Sequence, residues 1–383
     1  MTVETLSLGC RLNFAEAETI ARSVPAGEDW VIVNSCAVTN EAVRQTRQAI
    51  RRAHQRRPDA RILVTGCAAE LDRRFFERMP EVARVVPNAG KLDAFGGMTS
   101  VAAGAYARVR SFVAVQNGCD HRCTFCSIWQ ARGPSISLPF EAIRDAVAQE
   151  LDRGAKEIVL TGVDITDYEG GLGLLCHRLL SADPRLKRLR LSSLDSIEID
   201  DALFELLPDE RLMPHFHLSL QAGDDMILKR MKRRHSRAEA VAAVERIKRI
   251  RKDATIGADL IAGFPTETEE MALNSLKLLN DCDVIAAHVF PFSPRPNTPA
   301  ARMPQLPREI VKARASRLRE AAGKRRSAWL DTMVGTLQPV LVENGGKGHT
   351  DAFAPVVIEA APGALGLARI SGRNGDQLVG SFE

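Results

Sequence analysis

The sequence predicts an α/β protein in three consecutive parts: an open parallel sheet covered by helices, a partial (β/α)6 barrel, and a small antiparallel β-domain. Three observations carry this expectation. Short apolar runs alternate with helical patterns through the first ~100 residues. The alternation restarts near Arg108 and continues for six βα-like units. From Gly335 onward, β-formers are separated by glycine-rich turns.

In the first part, VETLSLG, WVIVNS, RILVTG and ARVVPN read as strands. Helical spacing of apolar residues lies between the first three, around Ala15–Val24 and Glu41–Arg57. In such sheets ligands gather at the carboxyl ends of the strands. In the second part the strands are SFVAVQN, EIVLTG, RLRLSS, HFHLSL, TIGADLIAG and VIAAHVFPF. Six units fall short of the eight of a closed barrel. The proline-rich SPRPNTPAARMPQLP ends this part, and a basic helix follows from about Arg308 to Met333. QPVLVE, AFAPVVIEA, LGLARISG and DQLVGSFE form the third part. The expected divisions are 1–105, 106–306, a linker helix over 307–333, and 334–383.

The chain has 383 residues, 45% hydrophobic and 26% charged, which suits a globular protein of two or three domains. No apolar run approaches the ~20 residues that span a bilayer, so no membrane partner is expected. MTVETLSLGC lacks the basic start and apolar core of a secretory signal, so a cytoplasmic location is expected. Net charge is only +4, but basic residues cluster at Arg44–Arg57, Lys229–Arg234 and Lys324–Arg326. Each cluster alone reads equally well as a solvated helix face. Three together favour a polyanionic partner such as RNA.

Eight cysteines in a reducing compartment argue for metal or redox chemistry rather than disulfides. Cys176 and Cys282 sit in apolar stretches and read as core residues. Cys10, Cys36 and Cys67 each follow one of the first three strands, so parallel pairing would gather them at one sheet edge. They read as a metal or cluster site, against the alternative of three coincidentally buried thiols. Cys119, Cys123 and Cys126 form a C-x3-C-x2-C loop after the first barrel strand. A structural zinc takes four ligands, and no fourth cysteine lies near, although His121 does. Three thiolates on a [4Fe–4S] cluster would leave one iron open to chelate S-adenosylmethionine. Polar residues fall just after the later strands: Asp164, Ser193, Gln221, Asp259 and Ser293, at the rim where such barrels do chemistry.

The loop CDHRCTFC, with Phe125 between its last cysteines, resembles that of the radical S-adenosylmethionine superfamily. That resemblance implies that LTGVDITDY, with Gly162 and Asp164, holds the amino group of the cofactor. It implies that Ser193, Gln221 and Asp259 border the cofactor; each also reads as a strand-end polar cap. The whole chain is similar to the methylthiotransferases, through LGCRLNFAEAE, VNSCAVTNEA, VTGCAAE, QNGCDHRCTFCSIWQARG, SLQAGDD and FSPRPNTPA. This implies a radical barrel, a C-terminal TRAM-like domain, and a second [4Fe–4S] cluster on Cys10, Cys36 and Cys67. S-adenosylmethionine would serve as methyl donor and as radical source, with electrons from flavodoxin or ferredoxin.

Within that family, VNSCAVTNEAVRQTRQAIRRA resembles the branch that modifies N6-threonylcarbamoyladenosine in the tRNA anticodon loop. The alternatives are isopentenyladenosine tRNA and an aspartate of a ribosomal protein. A non-catalytic iron–sulfur protein that binds RNA or carries electrons is a further alternative. A monomer is expected. Two departures stand out: ARGPSIS keeps only Arg132 and Gly133 of an RGxxRS-like segment, and the last part is slightly acidic where an RNA module is expected to be basic.

Overall fold

The computed structural model describes residues 3–95 and 108–383; the expected boundary at 105/106 lies outside the described residues. The first part contains β1 (Glu4–Ser7), α1 (Arg11–Ser23), β2 (Trp30–Ser35), α2 (Asn40–Arg56), β3 (Arg61–Gly66), α3 (Cys67–Leu71) and β4 (Arg84–Val85). The four strands are parallel, in the order β1-β2-β3-β4. Alternate residues of β2 serve two cores. Val31 and Val33 pack with Ile50 and Ala53 of α2, while Trp30 and Ile32 pack with Ala17 and Ile20 of α1. Helices thus cover both faces, which explains why WVIVNS is almost uninterruptedly apolar.

Six parallel strands follow: β5 (Arg110–Ala114), β6 (Glu157–Thr161), β7 (Leu189–Leu191), β8 (His215–Gln221), β9 (Thr255–Ala262) and β10 (Val284–Pro291). β7 breaks at Ser192 and resumes over Ser193–Leu194, which pairs with β8. That break divides the ladder into sheets of three and four strands, leaving an incomplete barrel. A short antiparallel pair, Gln116–Asn117 with Ile136–Ser137, ties the base of the cysteine loop. From that loop emerges α4 (Ile128–Arg132). Cys176 and Cys282 are fully buried in the central core.

The basic helix α5 (Arg308–Asp331) buries Val311, Ala315, Leu318 and Ala322, a helical stripe. Its arginines face the barrel too. Arg319 donates to the Val289 carbonyl at 2.9 Å, and Arg325 donates to the Val284 carbonyl at 3.0 Å.

The last part is a closed five-stranded barrel of β11 (Leu337–Asn344), β12 (Lys347–Thr350), β13 (Pro355–Val357), β14 (Leu365–Asn374) and β15 (Gln377–Phe382). Its pairs are antiparallel except β13 with β15, which run parallel where the barrel closes. β12 is the strand that its composition hides. Gly345 and Gly346, both with positive φ, make the turn that folds KGHT back on β11.

This small barrel closes the lower end of the central one. Glu157, Arg188 and His215 lie at the amino-terminal ends of their strands, away from the cysteine loop. Arg190 donates to Glu157 at 2.7 Å and to the Asp351 carbonyl at 3.2 Å, with its side chain 1% exposed. Arg188 bridges Glu157 and Asp351. Phe353, held at φ 70, lies 4.7 Å from the Arg190 guanidinium and stacks on His215.

Breaking such a buried pair costs about 3–5 kcal/mol, because it strands a charge. Arg190→Met is therefore expected to lower the unfolding free energy from urea melts by about 3–5 kcal/mol. Burial alone would raise the Glu157 carboxyl, but Arg190, Arg188 and Arg110 draw it down to about 2 from 4.5. Its contribution is fully present above pH 4.5 and is lost as pH falls toward 2. Urea melts across that window should show a flatter acid limb for Glu157→Gln than for the native chain.

Candidate functional site

The cysteine loop springs from the carboxyl end of β5. Gly118, at φ +80, makes the entry turn, and a Cβ there would lie 1.7 Å from the Pro134 carbonyl oxygen. No other residue fits that approach. Backbone bonds then fix the loop. Cys119 N–H donates to Gly133 O at 3.1 Å, and Thr124 N–H donates to Met231 O at 3.0 Å. Thr124 Oγ1 also donates to Arg230 O at 2.8 Å.

The three thiols differ in environment. Burial pushes Cys126 up to about 12, and its sulfur accepts from Ile128 N–H at 3.3 Å. Burial also raises Cys119. Burial would raise Cys123 too, but His121 and Arg233 outweigh it and hold that thiol below its ordinary value. Arg233 in turn donates to Asp195 at 2.7 Å.

His121, within the loop, does not stand apart as a spare ligand. It meets Asp164 at 2.9 Å, Glu198 at 3.2 Å and Asp195 at 3.5 Å. Burial opposes its protonation, but these carboxylates and Cys123 prevail and push it up to about 12. Asp164 also accepts from Thr166 Oγ1 at 2.8 Å.

Gln116 joins this loop to the segment after β6. Its Oε1 accepts from the N–H groups of Val163 at 3.1 Å and Asp164 at 2.9 Å. Its Nε2 donates to the Gly118 carbonyl at 2.9 Å. Gly162 lies against the same residue, since a Cβ there would come within 2.8 Å of Gln116 O. The other rim residues lie at different depths. Ser193 Oγ is 3.0 Å from Ser219 Oγ. Gln221 ends β8 at φ 65, an uncommon conformation for a side chain of its size. Asp259 lies within β9 rather than after it, 3.0 Å from His217 and 3.2 Å from His288. Ser293 faces the first part and accepts from Asn40 N–H at 3.2 Å.

The first part contributes a second set of thiols. Cys10 precedes α1, Cys36 follows β2 and Cys67 opens α3, so parallel pairing delivers all three to one edge. Cys10 is accessible, whereas Cys36 and Cys67 are buried. Burial pushes Cys36 up to about 11, with Cys10 and Cys67 adding to the rise. Gly9 sits against Cys36, where a Cβ would lie 2.6 Å from its sulfur.

Two arginines of the second part reach this edge. Arg132, ending α4, donates from Nε to Cys67 Sγ at 3.3 Å. Arg295 bonds to Asn40, and its buried Nε has no partner among the described residues.

Both sets suit iron–sulfur clusters. Each gathers three thiols and brings a guanidinium donor to one of them, Arg233 to Cys123 and Arg132 to Cys67. Neither brings its three sulfurs within the 4.8 Å that ligands of a single ion share, among the described residues. Orphaned buried groups (Ser127 Oγ, Arg233 Nε, Arg295 Nε) face these regions and await a polar partner. The contacts of Gln116, Arg233, Asp195 and Arg295 were hidden from sequence reasoning, because most of their partners lie far away in the chain. Gln116 carried a signal in its place two residues before the loop glycine, and Arg295 in its place within FSPRPNTPA.

Residues 113–279 match the Radical SAM superfamily, and residues 2–87 match the Uncharacterized protein family UPF0004. The threonylcarbamoyladenosine tRNA methylthiotransferase MtaB of Rickettsia prowazekii is 44% identical, over 93% of this chain and 91% of the relative. A tRNA-2-methylthio-N(6)-dimethylallyladenosine synthase of Erythrobacter litoralis is 33% identical, over 90% of this chain and 87% of the relative. Among solved structures, the radical S-adenosylmethionine methyltransferase TsrM of Kitasatospora setae matches with a TM-score of 0.56 at 14% identity. It covers 77% of this chain and 75% of its own, a likeness of fold alone. The chain belongs to the radical S-adenosylmethionine methylthiotransferases of the MtaB type.

Proposed function

We propose that this enzyme adds a methylthio group to carbon 2 of N6-threonylcarbamoyladenosine, next to the anticodon of tRNA. The observation that carries this reading is the facing of two thiol sets across α4, one set on each sheet edge. The higher identity to the Rickettsia relative than to the Erythrobacter one supports the choice of nucleoside. Cys119, Cys123 and Cys126 would hold one [4Fe–4S] cluster, and Cys10, Cys36 and Cys67 a second. The first would supply the electron that cleaves S-adenosylmethionine, and the second the place where the transferred sulfur is carried.

The chain's own residues bind, orient and shield. Gln116 fixes the Gly162–Asp164 segment against the loop, so Asp164 can meet a cofactor ammonium. Ser193, Gln221 and Asp259 line the mouth and upper wall beside it. His121 meets Asp164, Asp195 and Glu198, whose charges it shares with Arg233 and Arg234, while lying against Cys123. The small barrel closes the lower end against water. The target adenine would leave its stack in the anticodon loop to enter from the open end. Exposed Arg44, Arg51, Arg52 and Arg56 of α2 offer phosphate contacts on the part of the chain that carries the second thiol set. Flavodoxin or ferredoxin would reduce the enzyme, which would act as a cytoplasmic monomer.

Anaerobically reconstituted protein should hold about eight iron and eight sulfide per chain, and about four of each after alanine replaces either thiol set. Loss of all iron and sulfide from either replacement alone would show one shared site instead. Nucleosides from tRNA of a deletion strain should lack the methylthio form of threonylcarbamoyladenosine, and complementation should restore it. An unchanged nucleoside would remove the tRNA assignment. Gln116→Leu should keep full iron while raising the KM for S-adenosylmethionine at least tenfold, measured by 5′-deoxyadenosine release.

A further inference from the structure

α4 has a thiol at each end. Its first N–H, from Ile128, donates to Cys126 Sγ at 3.3 Å, and its last side chain, Arg132, donates to Cys67 Sγ at 3.3 Å. Five residues therefore separate a sulfur of one set from a sulfur of the other.

Arg132 has no freedom at this position. Its Nη1 donates to Glu16 at 2.6 Å and to Asn117 at 2.9 Å. Its Nη2 donates to Glu16 at 3.0 Å and to Asn13. With Nε on Cys67, all five donors are engaged, and the side chain is 1% exposed. A group so fully held keeps its N–H aimed at the sulfur.

The charge around it is unbalanced. Lys91, 2% exposed, pairs with the same Glu16 at 2.6 Å. Burial would raise the Glu16 carboxyl, but Lys91 and Arg132 draw it down to about 2. Two cations and one carboxylate leave one buried positive charge beside Cys67. Its natural complement is negative charge on the sulfurs. A hydrogen bond and a cation at a ligating sulfur both favour the reduced, more negative state of a cluster.

We propose that Arg132 is a positioning residue shared by the two centres, which raises the reduction potential of the cluster on Cys10, Cys36 and Cys67. This rests on the reading that those thiols hold a cluster. Glu16 acts in the opposite sense, since its charge offsets one of the two cations.

The test is a potentiometric titration monitored by electron paramagnetic resonance, in a full-length chain with Cys119, Cys123 and Cys126 replaced by alanine. Iron and sulfide are counted first. If the background chain holds none, the second-cluster reading fails, whatever Arg132 does. If it holds a full cluster, Arg132→Met should shift the midpoint to lower potential. Arg132→Lys should restore part of that shift, because it returns charge without the N–H···S bond. Glu16→Gln should shift the midpoint upward. Should Arg132→Met fail to accumulate, the lysine and glutamine variants carry the decision through their opposite signs. A folded variant set with full iron and one common midpoint would overturn the proposal, since a merely structural arginine would leave the potential unmoved.

Discussion

The contact between Arg132 and the edge of the first sheet is the constraint on which the candidate site depends. Parallel strands in both parts end at edges that face one another, yet two such edges have no intrinsic reason to keep register. Burial of a guanidinium supplies one. A charge taken out of water must find its partners within the protein, and it is costly to leave any donor unmet. Glu16 and Asn13, both of the first part, satisfy Arg132 only in one relative placement of the two parts. Asn88 reinforces that placement by donating to the Ala131 carbonyl at 2.7 Å. Fold specificity and site geometry are therefore the same interaction here.

The electrostatics of the two thiol sets follow one rule with different partners. In each, a guanidinium approaches one sulfur: Arg233 at Cys123, 3.7 Å away, and Arg132 at Cys67, 3.3 Å away. Around the loop cysteines the excess cation is balanced by Asp195, Asp164 and Glu198, gathered on His121. Around the other set, among the described residues, it is balanced by Glu16, which Lys91 already shares. The first environment can thus hold its charges without a cluster. The second is left with surplus positive charge beside its sulfurs, and so is the more strongly predisposed to anionic ligation.

Much of this architecture was legible in the sequence because it depends on period and order. The strands of both sheets follow apolar runs, and the three spaced cysteines follow strands, so parallel pairing alone brings them to one edge. What remained hidden depends on partners. Gln116 and Arg132 were visible as letters in a motif, but their hydrogen-bond partners have no periodic signature. Asp259 looked like a rim residue because the strand TIGADLIAG could be counted but its depth could not. The pair of histidines that flanks it comes from the two neighbouring strands. KGHT was passed over as a strand because its pairing follows from a glycine turn and not from its own composition.

The slightly acidic count of the last part misled for a related reason. Charges counted along a segment are not the charges that the segment presents. Glu343 meets Arg110 at 3.2 Å, and Asp351 pairs with Arg188, both arginines belonging to the central barrel. Removing those two from the count leaves Lys347, Arg369 and Arg373 against Glu359, Asp376 and Glu383, a balanced surface. Arg369 is further paired with Glu383, and Arg373 with Asp331. Two of the five acidic residues of this barrel, Glu343 and Asp351, therefore serve attachment to the central barrel. The module neither repels a polyanion nor strongly attracts one. The stronger basic field lies elsewhere, on α2, where exposed arginines stand on the same part of the chain as the second thiol set.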